Sequence, residues 1–213
     1  MSKVPAVLRN NLLQLAFGFA VGATTYVAVD QPAKPSQAVQ LAMELGAHYE
    51  SSGRHIGVPY VDKLGKGQPL TVCNGITGPE VVAGRYYSKD DCYRLELSKY
   101  LEAERTAQRQ FKHWHTYNVW VQASVIDMFY NLPAASIASS TLRAQANAGQ
   151  PPEVWCPQMQ RWVYGTVNGR STRLPGLVER RTTTAELCRD WGRDGHFSVI
   201  AIRGLEGGNA QAD

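Results

Sequence analysis

From Leu12 to Val29 the chain reads LLQLAFGFAVGATTYVAV, a run in which Gln14 is the only strongly polar side chain. Its length is about what a helix needs to cross a bilayer. Lys3 and Arg9 precede it and no acid occurs before Asp30. That asymmetry places the N-terminus inside and everything after Asp30 outside. Gly, Ala and Thr fill many places where Leu and Ile are usual, so insertion is marginal. Three exported readings compete: a signal peptide cut near Val21-Gly22-Ala23, a permanent anchor, and a signal anchor that can later leave the membrane. The composition fits the third best. A helix buried in the soluble domain is disfavoured, since no charge interrupts the run and no polar face is clear. On this reading residues 1–29 tether the protein to the inner membrane with its domain in the periplasm, and a chain without them stays folded and soluble.

Export permits disulfides, and the four cysteines, Cys73, Cys92, Cys156 and Cys188, are an even set. Two pairs near in sequence, Cys73 with Cys92 and Cys156 with Cys188, are favoured among three possible connectivities. A metal reading is weak, because there is no CxxC and no histidine at ligand spacing from a cysteine. His113 and His115 lie two apart, on different faces of any helix, with no third ligand in view.

With 213 residues, 44% hydrophobic and 19% charged, the chain is long enough for a proper core. The net charge of +4 suits an anionic partner such as a cell-wall polymer or membrane surface. Without a long basic run it gives no support for nucleic acid.

Residues 30–36, DQPAKPS, read as a linker ending in Ser36 as an N-cap. The apolar face Ala38, Leu41, Ala42, Leu45 and Tyr49 predicts a helix from Gln37 to about Glu50. Gly- and Pro-rich residues 54–80 predict a small antiparallel sheet. Ser88-Lys-Asp-Asp91 is a capping-box start, with Asp for the usual Glu or Gln, of a long helix to about Gln110. Asn118 to Leu132 is the most apolar helix outside the N-terminus and predicts the centre of a second lobe. Shorter helices follow from Ser140 and Pro152, and a longer one from Pro175; the tail from residue 204 is Gly-rich. The order predicts an α+β fold with a cleft between the sheet and a helical lobe. The domain spans 37–203 as a monomer, and the five tryptophans read mainly as core.

Hydrolysing a glycosidic bond needs two carboxyl groups, one to protonate the leaving oxygen and one to activate water or stabilise the positive ring. Glu50, ending an apolar helix at the cleft, suits the proton donor. Asp62, on the sheet after Tyr60, suits the base, and the Thr71 hydroxyl could hold the attacking water. Glu and Asp twelve apart are by themselves a weak signal.

Three segments add to it: Leu70-Thr-Val-Cys-Asn-Gly-Ile-Thr-Gly78; Gln122-Ala-Ser-Val-Ile-Asp-Met-Phe-Tyr-Asn131 with Ser139-Ser-Thr-Leu142 and Asn147-Ala-Gly149; and Arg161-Trp-Val163 with Leu174-Pro-Gly-Leu-Val-Glu-Arg-Arg181 and Glu186-Leu-Cys188. In order they resemble the strings of the phage-type lysozymes, glycoside hydrolase family 24, across about residues 50–190. The resemblance implies a lysozyme-like fold, with a small sheet lobe and a larger helical lobe joined by the long helix. It implies an endolysin muramidase that cleaves the β-1,4 bond between N-acetylmuramic acid and N-acetylglucosamine in peptidoglycan, without cofactor or metal. It carries the catalytic triad onto Glu50, Asp62 and Thr71, with both gaps three residues longer than the family's usual pattern. Ile76 stands where the family has a histidine. The family inverts at the anomeric carbon, which implies carboxylates roughly 6.5–9.5 Å apart. Asn131 and His55 are candidate substrate contacts. Ion pairing inside the lobe is the favoured role of Arg180 and Arg181. A lytic transglycosylase, needing one acid, and a non-catalytic wall-binding protein are the alternatives.

Overall fold

The structure is a computed structural model and describes residues 2–17, 34–51, 54–62, 67–167 and 169–193. Helix α1 (Ala6–Phe17) leads, then α2 (Gln37–Ser51). A three-stranded antiparallel sheet follows, β1 (Tyr60–Val61), β2 (Leu70–Val72) and β3 (Ile76–Thr77) in that order. Next come α3 (Lys89–Gln110), α4 (Val119–Asn131), α5 (Ala134–Ala138), α6 (Thr141–Asn147) and α7 (Pro152–Trp155). The hairpin of β4 (Tyr164–Val167) and β5 (Arg170–Arg173) precedes α8 (Pro175–Asp190).

Each lobe has its own core. Val72, Cys73, Ile76, Val81, Tyr87 and Cys92 are buried together under the sheet. Ile76 is 1% exposed there, so the position where the resemblance expects a histidine serves packing. The larger core is centred on α4, buried from Val121 through Phe129 except at Gln122, as its all-round apolar sequence requires. Helix α3 joins the two. Its Ser88–Asp91 capping box forms as expected, and Cys92, Glu96, Tyr100, Ala103 and Ala107 make one inward stripe at helical spacing. Disulfides Cys73–Cys92 and Cys156–Cys188 tie the sheet lobe to α3 and α8 to the 3-10 turn after α7. Trp114, Trp120, Trp155 and Trp191 are buried and Trp162 packs half-buried against the core.

The hairpin and α5 are not anticipated by the sequence reading, although Asn168-Gly169 is a strong hairpin signal and Gly169 has φ +74°. The N-terminus also packs on the domain. Val4, Leu8 and Leu12, four apart, are buried in the main core with Leu41 and Leu45 of α2. Ser2 Oγ (2.5 Å) and the Lys3 amide (2.7 Å) donate to Glu186 on α8, and Asn11 donates to Glu44 on α2. The described start of the chain thus carries a helix with one face packed on the domain, while Val7 on its other face is exposed. Among the described residues no helix is long and apolar enough to cross a membrane; most of the run from Leu12 to Val29, and the tail after 193, lie outside them.

Candidate active site

Three helices and the turn between β2 and β3 converge on Glu50. It ends α2, a quarter exposed, where the apolar face that buries Leu41 and Leu45 runs out. From α8, Arg180 Nη1 donates to Glu50 Oε1, and Asn131 Nδ2 at the end of α4 donates to the same oxygen at 3.4 Å. Oxygen Oε2 points the other way, toward the turn between β2 and β3. A β-carbon built at Gly75 would come within 3.5 Å of it, and Gly75 has φ +76°. A β-carbon there would be in ordinary contact with the carboxylate, so it is the positive φ that favours glycine. One carboxyl oxygen is thus anchored, and the other has no hydrogen bond from any described residue.

Behind Glu50 lies Asp127, fully buried on α4. Arg180 donates to it from Nη2 (2.6 Å) and Nε (3.2 Å), Arg181 from Nη1 (3.2 Å), and Thr184 Oγ1 lies at 3.3 Å. Arg181 Nη2 also donates to Asn131 Oδ1. Burial pushes the Arg180 guanidinium down, but the carboxylates of Asp127 and Glu50 outweigh it and hold it firmly protonated. Arg181 is lowered, burial prevailing over Asp127. The two arginines are therefore buried, as the sequence favoured, yet Arg180 also reaches the cleft acid.

The sheet supplies the opposite wall. Strand register pairs Tyr60 with Thr71, and the Pro69 carbonyl accepts both the Asp62 amide (3.0 Å) and the Thr71 hydroxyl (3.2 Å). Thr71 is 3% exposed with its lone pairs left to accept, and Asp62 is half-buried. The Tyr60 phenol is pushed up first by burial, then by the charges of Asp62 and Glu50. Both carboxylates therefore sit in electrostatic range of one exposed side chain, on either side of it in the chain. Beyond Gly75 the cleft continues as a cavity of about 450 Å³ lined by Thr77, Lys99, Phe129, Tyr130 and Ala134.

His55 is not part of this group. It stacks edge-on with Tyr86 and lines a recess of about 310 Å³ beside Cys73, Cys92 and Glu96. Of the ligand-type side chains gathered there, both sulfurs are used in the disulfide. Sequence reasoning missed Asp127, whose signal was an acid inside the apolar string VQASVIDMFY, and it missed Tyr130 and Glu96.

The whole is a two-lobed α+β fold of the lysozyme type, with Glu50 facing the β2–β3 turn, Asp62 just after β1 and Thr71 in β2. The phage lysozyme model matches residues 56–184, which contain Asp62, Thr71 and Asn131 and begin just after Glu50. A SAR-endolysin of Enterobacteria phage P21 is 31% identical over 138 residues, 64% of this chain and 76% of that one. An endolysin from Escherichia coli O157:H7 phage FAHEc1 shares the fold at TM-score 0.62 and 19% identity, covering 75% of this chain and 96% of its own. The active form of the P1 phage endolysin Lyz does so at TM-score 0.58 and 17% identity, covering 88% and 93%. The chain belongs to the phage lysozyme family. It is a glycoside hydrolase with that family's muramidase chemistry, and peptidoglycan is its substrate.

Proposed function

We propose that Glu50 is the general acid, Asp62 the second carboxylate and Thr71 the residue that holds the attacking water. The single observation that carries the reading is the split role of Glu50's two oxygens. Oε1 is fixed by Arg180 and Asn131, and Oε2 faces the cleft beside a side-chain-free position where a glycosidic oxygen can approach. General acid catalysis needs such a carboxyl within hydrogen-bond reach of the leaving oxygen. Asp62, half-buried, and Thr71, buried, are tied through the Pro69 carbonyl on the sheet. Asn131 acts by holding Glu50. Replacing Asp62 by asparagine tests the hydrolytic reading. Release of reducing sugar is expected to fall about 10²-fold or more, since the second carboxylate can no longer activate water. Activity left largely intact would favour a transglycosylase that needs one acid.

The N-terminal segment is proposed to serve twice. Residues 12–29 hold the enzyme at the inner membrane with its domain in the periplasm, and on release the segment joins the domain. The relative's description as a SAR-endolysin supports the first role, in a phage-encoded enzyme acting in the periplasm. The burial of Val4, Leu8 and Leu12 against α2 supports the second. This revises the expectation for a truncated chain. Lacking residues 1–29, it is expected to stay in the cytoplasm when expressed and, once purified, to unfold at lower urea than the full chain. Each of those three side chains stabilises by about 1.5–3 kcal/mol before the cost of ordering α1 is set against it. Equal urea midpoints would contradict the docked role.

A further inference from the structure

Glu96 is a buried carboxylate, 7% exposed, that pairs with no cation among the described residues. Both of its oxygens go to one residue. The Asn74 backbone amide donates to Oε1 at 3.2 Å and the Asn74 side-chain amide to Oε2 at 2.9 Å. The Asn74 carbonyl in turn accepts the Tyr130 hydroxyl at 2.5 Å. The Tyr130 ring is stacked on Tyr100, centroids 4.0 Å apart and planes 5° from parallel. Tyr100 is itself pressed against α2 at Gly46, where a β-carbon would fall 1.8 Å from its hydroxyl. Asn74 is therefore gripped by α3 on one side and α4 on the other.

Packing does not explain this arrangement. An apolar residue at position 96 would join Cys92, Leu95 and Ile76 in the small core at no desolvation cost, whereas a buried carboxylate is costly unless every lone pair it offers is used. What the bonds do fix is the position of a turn. The residue after Asn74 is Gly75, where a β-carbon would lie 3.5 Å from Glu50 Oε2, the oxygen at which the leaving group must arrive. We propose that Glu96 and Asn74 are a positioning pair for catalysis, clamping the Asn74-Gly75 turn at the distance from Glu50 that admits the glycosidic oxygen. The proposal rests on the reading of Glu50 as the acid. Burial raises the Glu96 carboxyl overall, while the Asn74 donors and the charge of His55 pull it down and the charge of Glu50 pushes it up.

Positioning and plain stability part company in the kinetics. A turn that drifts by an ångström can cost a reaction about 10²-fold while leaving binding elsewhere along the glycan in place. Glu96→Gln keeps the volume but replaces two charged acceptors by one neutral oxygen and an NH2 group, which the Asn74 side chain can meet only by turning its own amide over. With soluble peptidoglycan fragments, well below the unfolding midpoint, kcat is expected to fall about 10- to 100-fold with KM changed less than about threefold. Asn74→Ala, which keeps the backbone bond and loses the side-chain one, is expected to fall by a smaller factor in kcat, again with KM little changed. It carries the test if Glu96→Gln does not fold. Wild-type kcat in the folded variants, with only the melting temperature lowered, would overturn the proposal. Glu50→Gln, assayed beside them, separates the two readings. If it is inactive while both Glu96→Gln and Asn74→Ala turn over normally, only the positioning pair is lost. If it is fully active, the acid assignment beneath the proposal is wrong as well.

Discussion

Glu50→Gln is expected to slow peptidoglycan cleavage about 10²–10⁴-fold and to leave the protein folded. Glutamine fills the same space, and its amide oxygen can still accept from Arg180 and Asn131 as Oε1 does. Its NH2 group would then stand where Oε2 stands, beside Gly75, and it has no proton acidic enough to give to a leaving sugar oxygen. Arg180 keeps Asp127 as a partner at 2.6 Å, so no buried cation is orphaned. The loss should therefore appear in the rate and hardly in the unfolding curve. Full activity would move the acid elsewhere on α2. The nearest acid on that helix, Glu44, is a poor substitute, since it is engaged with Asn11 of α1. The measurement is reducing-end release from purified peptidoglycan, with far-ultraviolet circular dichroism as the control for folding.

Asp127→Ala should do the reverse, with stability as the main casualty. Asp127 is fully buried and accepts from both Arg180 and Arg181, themselves 3% and 0% exposed. Among the described residues, taking it away leaves Arg180 with Glu50, at the edge of the cleft, as its one remaining carboxylate, and Arg181 with only the Asn131 amide oxygen. Breaking a buried pair in this way costs about 3–5 kcal/mol, because the surviving charge stays desolvated without its partner. Against a total stability of about 5–15 kcal/mol, that is a large share. Urea unfolding at neutral pH reads it directly as a lower midpoint. Activity should drop too, because Arg180 would no longer be held in the orientation that fixes Glu50 Oε1. A shift under about 1 kcal/mol would mean that water or a neighbouring group takes over from Asp127, and that the hub matters less than its burial implies.

How far the fold could be read in advance depended on whether its signals were local. The start of α3 was legible because Ser88 and Asp91 carry a capping box within four residues, and α4 because its apolar character is continuous. The disulfides followed sequence proximity. At the site, Glu50, Asp62 and Thr71 could be nominated from chemistry and resemblance, and Arg180 with Arg181 could be assigned to buried ion pairs. The partners that make a site of them lie far away in the chain. Arg180 meets Glu50 across 130 positions and Asp127 across 53, and no spacing rule reaches that far. His55 was nominated for standing near Glu50 in sequence, and it lines another recess. Glu96 escaped notice because an acid on a long charged helix ordinarily faces water. Only the close approach of Asn74 turns it inward. For the N-terminus the difficulty was of another kind. The same weakly apolar sequence that can enter a bilayer can also pack Leu8 and Leu12 against α2, and composition does not distinguish the two environments.

The most direct test of the central claim is the chemical form of the ends that the full-length enzyme creates in peptidoglycan, read by mass spectrometry of the released muropeptides. A glycosidase with Glu50 as acid, Asp62 as second carboxylate and a water held at Thr71 must add that water across the bond, so every new end is a reducing N-acetylmuramic acid. Ends lighter by one water, closed as 1,6-anhydro sugars, would contradict it, because they form when a single acid acts and no water is activated.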